Sequence, residues 1–140
     1  MITLPPELRA QLRTNHDARR RADVASRRFD PSPVVKFFNP LSAATWLATE
    51  LDEDGDTLFG LTDFGFGCPE LGSFSLSELR AIRLPYGLWI ERDLGFEPLV
   101  RLSQWADTAR RAGSILWAER LLRRAAQTGT DPEDPLPPGR

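Results

Sequence analysis

The chain has 140 residues, 41% hydrophobic and 27% charged, the balance of an ordinary globular domain. That length can bury a core without disulfide or metal staples, and the single cysteine, Cys68, excludes an internal disulfide. The formal charge of -2 conceals a segregation: residues 1–29 balance to +4, 30–98 to -8, 99–127 to +4 and 128–140 to -2.

In chain order, Pro5-Pro6 opens a helix, since a missing N–H costs nothing in the first turn. Leu4, Leu8 and Leu12 give it one apolar stripe. Thr14-Asn15-His16 reads as its end, and a second, arginine-rich helical piece follows from Asp17 to Ser26. Asp30-Pro31-Ser32-Pro33 breaks the chain. Residues 34–38 and 57–64 are rich in strand formers, and 44–51 reads as a strand with a short helix as the competing reading; the three make an antiparallel meander, with turns at Asn39-Pro40 and in the acidic run 52–56. Residues 64–72 hold three glycines and a proline and read as an irregular loop.

Ser75 and Glu78 match a capping box, which predicts a short helix to Arg83. Residues 88–93 read as a fourth strand. Ser103 is positioned to cap a helix that Gly113-Ser114 interrupts. Ile115, Leu116, Ala118, Leu121, Leu122 and Ala125 then space as the buried face of a last helix, stopped at Gly129. The proline-rich, acidic residues 130–140 read as a disordered tail. The expectation is one α+β domain over 1–129: a small antiparallel sheet of about four strands with N- and C-terminal helices packed on it.

The strongest chemical signatures are absent. One histidine and one cysteine exclude ordinary zinc sites, and there is no phosphate-binding glycine loop ending in Gly-Lys-Ser/Thr. No metal and no cofactor is expected. The acidic run lacks the glycine that a calcium loop needs at its sixth place, where Thr57 stands. Lys36, the only lysine, shares one strand face with Val34 and Phe38. Such a lysine pairs with a carboxylate on an edge strand, snorkels, or serves as an anion-binding or acid/base group in a cleft. Asp63, Glu70, Glu91 and Asp93 are its candidate partners, with Arg92 on the opposite strand face from the last two. Carboxylates converging with a lysine describe a metal-dependent hydrolase, although the acid two residues before the lysine, usual in compact nucleases, is missing.

Most aromatics on or beside the sheet, including Trp46 and Trp89, are expected in the core. Phe64 and Phe66, in the glycine-rich stretch, are expected at the surface to meet a partner. Arg19, Arg20, Arg21, Arg27 and Arg28 would be the nucleic-acid contacts if the basic N-terminal segment serves that role. The competing expectation is that basic terminal helices neutralise an acidic centre.

The segments PPELRAQL, PVVKFF, ATWLATELD, LFGLTDFGFGCPELG, SLSELR and IERDLGFEP, in this order and spacing over residues 4–98, resemble an uncharacterised bacterial family, domain of unknown function 2958. The resemblance implies a small cytosolic protein of the kind carried on plasmids, integrative elements and phages, beside anti-restriction and conjugation genes. It implies no activity. It places Lys36, Asp63, Glu70, Glu91, Arg92 and Asp93 within shared motifs and leaves the helices after Leu99 outside them. With no N-terminal apolar block and no membrane-length apolar run, a cytoplasmic, non-enzymatic accessory protein that binds an unidentified protein partner is the leading expectation. Nucleic-acid binding and metal-dependent hydrolysis are the alternatives. The oligomeric state is not legible.

Overall fold

A computed structural model describes residues 1–129. It is an α+β fold built on a five-stranded, wholly antiparallel sheet of order β4-β3-β2-β1-β5. The strands are β1 (Val35–Phe38), β2 (Thr45–Leu51), β3 (Thr57–Asp63), β4 (Glu70–Ser75) and β5 (Glu91–Arg92). The helices are α1 (Pro6–Val24), α2 (Leu76–Ala81), α3 (Leu102–Ala112) and α4 (Ile115–Thr128). The tail expected to be disordered lies outside the described residues.

Both sheet faces are covered. On one, Val35, Phe37, Trp46, Ala48 and Leu58 meet Leu8 and Leu12 of α1 and Leu76 and Leu79 of α2. On the other, Leu47 and Leu61 meet Trp105 and Ala109 of α3 and Ile115, Ala118 and Leu122 of α4. Central β2 is therefore buried at every residue, the pattern of a strand covered on both sides.

Four local expectations need correction. The helix α1 is unbroken through Thr14-Asn15-His16, because Asn15 finds a tertiary partner: its Nδ2 donates to the Thr49 carbonyl at 2.9 Å. The stretch read as a loop ends in a strand, β4, paired in unbroken register from Glu70↔Thr62 to Ser75↔Thr57. The fourth predicted strand contracts to the two residues of β5. Leu116 is exposed rather than part of the α4 stripe.

The serine half of the capping box holds at α2, where Ser75 Oγ accepts from the Glu78 N–H at 3.1 Å, and the helix ends at Ala81. At α3 the expected Ser103 cap does not form, because the helix begins at Leu102 and Ser103 lies in its first turn; the capping carboxylate comes from far away in sequence. Asp30 accepts from the Ser103 N–H at 3.0 Å and from the Ser103 hydroxyl. Gly113, left-handed at φ 87°, ends α3, and Ser114 caps α4.

Candidate functional site

Lys36 does not lie on an edge strand, since β1 runs between β2 and β5. Opposite Leu47 in register, it faces α4. Its Nζ donates to Glu119 Oε1 at 2.8 Å and lies 3.3 Å from Asp93 Oδ2. The lysine side chain is 8% exposed, Glu119 12% and Asp93 28%, so the cluster is a largely buried ion triad. Arg123 Nη2, one turn along α4, stands 3.9 Å from Glu119 Oε2. Two cations thus balance two carboxylates. That leaves no unsatisfied positive charge on Lys36 to draw an anion. Sequence reasoning named Asp93 as a partner and missed Glu119, which lies 83 residues from Lys36.

The other carboxylates stay apart from this cluster. Asp63 is fully buried and caps two backbone segments: its Oδ1 accepts from the Gly65 N–H at 2.8 Å and its Oδ2 from the Ile115 N–H, the first of α4, at 2.9 Å. A carboxylate at a helix N-terminus satisfies an orphan donor and favours the helix dipole. Glu70 is exposed at the start of β4 and Glu91 is exposed on β5. Arg92 Nε donates to the Thr3 carbonyl at 2.8 Å and ties the N-terminal segment to β5. Among the described residues no group of three His, Cys, Asp or Glu side chains is arranged to hold a metal ion.

The acidic hairpin between β2 and β3 turns its carboxylates on its own backbone and on α2. Asp54 accepts from the Thr57 hydroxyl and from the N–H groups of Thr57 and Asp56, which holds its carboxyl down at about 2. Asp56 is also lowered, by the Ser75 hydroxyl first and the Ser77 N–H next.

The basic helix α1 lies against this hairpin. Arg9 donates to the Gly55 carbonyl and Arg13 to the Leu51 carbonyl. Arg20 pairs with Glu53. Arg19 reaches the buried Glu50 at 2.6 Å and rests over the rings of Phe29 and Phe59, and the Glu50 hydrogen bond raises its pKa further. Of the five arginines singled out, Arg19 and Arg20 are thus engaged within the fold. Arg21, Arg27 and Arg28 are exposed, with no ion-pair partner among the described residues.

The surface feature that remains is aromatic. Phe64 is 62% exposed and Phe66 86% exposed. Gly65 and Gly67 take φ of 89° and 85°, values open to glycine and strained for other residues. Asp63 fixes where this loop leaves the sheet, and the Phe64 ring meets Trp46 edge-on at 6.2 Å. Beside it, Trp46, Phe64, Phe74, Leu79 and Ile82 line an apolar groove of about 420 Å³ with Glu78 on its rim. Three further aromatics are exposed: Tyr86, at φ 65° in the 3-10 turn Pro85–Gly87, Trp89, which is half-exposed rather than core, and Trp117 of α4, with Arg120 over its ring at 4.8 Å. The Pro85-Tyr86-Gly87 triplet is the sequence signal that marks the first.

A sheet with a structural ion triad on one side and a presented aromatic loop at its edge describes a compact α+β scaffold whose outstanding feature is a surface. The family model "Protein of unknown function (DUF2958)" matches residues 3–116, and the chain belongs to that family. The match extends beyond the 4–98 stretch that the motifs traced and takes in all of α3, including Trp105. No curated protein and no solved structure matches the chain. Among the described residues no helix is long and apolar enough to cross a membrane.

Proposed function

We propose that this is a non-enzymatic accessory protein that acts by binding another protein through the Phe64–Phe66 loop. The observation that carries the reading is the exposure of both rings on a loop whose take-off is fixed by a buried carboxylate. Aromatic side chains left in water on a pre-set loop are the usual anchors of protein interfaces, and little ordering entropy is lost when they are captured. The Lys36 triad belongs to the scaffold in this reading, because Lys36 is paired with both Glu119 and Asp93, although Glu119 Oε2 and Arg123 Nε are buried without a hydrogen bond among the described residues. The mobile-element setting rests on the family resemblance. The cytoplasmic setting rests on the exposed free thiol of Cys68, which suits a reducing compartment.

The test is affinity capture from the native host with wild type and with the Phe64→Ser/Phe66→Ser double variant. A partner retained by wild type and depleted at least about tenfold by the variant, a loss of roughly 1.4 kcal/mol, supports the reading. Identical recoveries from both proteins would overturn it. Nucleic-acid binding is the second reading and rests on Arg21, Arg27 and Arg28. It requires a low-salt gel shift that collapses as salt rises.

A further inference from the structure

The kind of chain the protein holds turns on β4. Among the described residues it ends the sheet and pairs only with β3. Leu76 N–H donates to the Asp56 carbonyl at 2.9 Å, one register step beyond Ser75↔Thr57. Alternation from that bond turns the N–H and C=O groups of Phe74, Gly72 and Glu70 toward β3, and those of Ser73 and Leu71 outward. Glu70, Leu71 and Ser73 are exposed. The strand carries no bulge and no internal proline, and its one charge, Glu70, stands at its first residue, so its middle keeps none of the devices that ordinarily blunt an open edge.

The face next to this edge is shaped to take a side chain. Gly72 shares a strand face with Phe74, a wall of the apolar groove, and a Cβ at Gly72 would meet nothing within 4 Å. A strand added antiparallel to β4 would direct the residues opposite Gly72 and Phe74 to that same face. Glu70 on this face and Glu78 on the groove rim are both exposed acids, so the complementary strand is basic beside Glu70. Arg110 of α3 lines the same cleft as Glu70 but makes no ion pair with it, and among the described residues the one charged residue lining the groove is Glu78. A second copy of β4 fits less well: centred on Gly72, it would set glycine against glycine and leave the groove unfilled.

We infer that β4 binds an extended peptide segment by strand addition, with an apolar side chain opposite Gly72 and a basic one opposite Glu70. The inference rests on the protein-binding reading and names its mode. The probe is the blocked hexapeptide Lys-Val-Thr-Leu-Thr-Arg, with a scrambled peptide of the same composition as control. Binding to the full chain is followed by amide NMR shifts and hydrogen exchange.

Saturable binding of the ordered peptide, with new protection at the Leu71 and Ser73 amides, is expected. Ser73→Pro deletes one outward N–H and leaves the β3 ladder intact, so it should weaken binding at least tenfold in a protein that still melts cooperatively. Gly72→Val covers the path to the groove and should do the same, which keeps the test available if the proline variant does not fold. The inference is overturned by no saturation up to about 1 mM, by equal binding of the scrambled peptide, or by full binding in whichever of the two variants folds. A concentration-dependent dimer abolished by Ser73→Pro would assign the edge to a second copy and overturn it as well. A host partner lost with Phe64→Ser/Phe66→Ser and kept by Ser73→Pro would leave the loop reading standing and remove this one.

Discussion

Single carboxylates in this chain act as local fasteners, and their environments differ. Asp63 holds a loop and a helix from a fully buried position. Asp54 does the same for a hairpin from an exposed one, with its carboxyl at about 2 against an ordinary 3.8. A carboxyl that is more acidic in the folded state contributes stability that is complete above its unfolded pKa and fades as the pH falls through its folded value. The wild-type melting temperature should therefore decline as the pH falls from about 4 toward 2. Asp54→Ala should melt lower than wild type at neutral pH and lose less over that acid window. Parallel declines in the two proteins would show that the Thr57 and Asp56 hydrogen bonds contribute nothing to stability. Sequence placed Asp63 at a strand end and the acidic run in a turn. It could not show which N–H groups they face, because Ile115 comes to Asp63 only through the fold.

At the scale of elements, the charged residues join layers that the apolar pattern alone would leave free to slide. Lys36 of β1 is tied to Glu119 of α4, and Arg19 of α1 to Glu50 of β2. Removing one member of a buried pair strands the other, whereas replacing both with apolar groups removes the desolvation cost together with the attraction. Lys36→Met should lower stability by about 3 kcal/mol, because Glu119 and Asp93 are then left facing each other. Lys36→Met with Glu119→Leu should return to within about 1 kcal/mol of wild type or exceed it. Urea midpoints at constant slope read this directly. A double variant as unstable as the single would mean that the triad supplies something a hydrophobic contact cannot, and would reopen a chemical role for the lysine. The elements best read from sequence are those whose signals are local: the strand formers of β1 to β3, the cap of α2 and the Gly113-Ser114 break. The strand β4 escaped because Glu-Leu-Gly-Ser carries turn-forming residues and becomes a strand through its pairing with β3. The full length of α1 is not legible locally, because Thr14-Asn15-His16 weakens helix propensity and the Asn15–Thr49 bond overrides that weakness.

Across the whole molecule, the charge segregation seen in composition resolves into architecture. Basic α1 lies on the acidic β2–β3 hairpin, so much of the N-terminal positive charge is spent inside the fold. The two-sided sheet also bears on where the folding unit ends. The family match stops at residue 116, two residues into α4. Yet α4 supplies Ile115, Ala118 and Leu122 to the core over Leu47 and Leu61, the N–H that Asp63 caps, and the carboxylate that holds Lys36. A chain ending at Gly113 would open that sheet face, strand a buried carboxylate and leave Lys36 with Asp93 alone. It should retain far-ultraviolet helix and strand signal, lose its near-ultraviolet signal, bind a hydrophobic dye and unfold without a sharp transition. A sharp transition with near-ultraviolet signal intact would show instead that α1, α2 and α3 suffice to fix the sheet and that α4 is an addition to a finished domain.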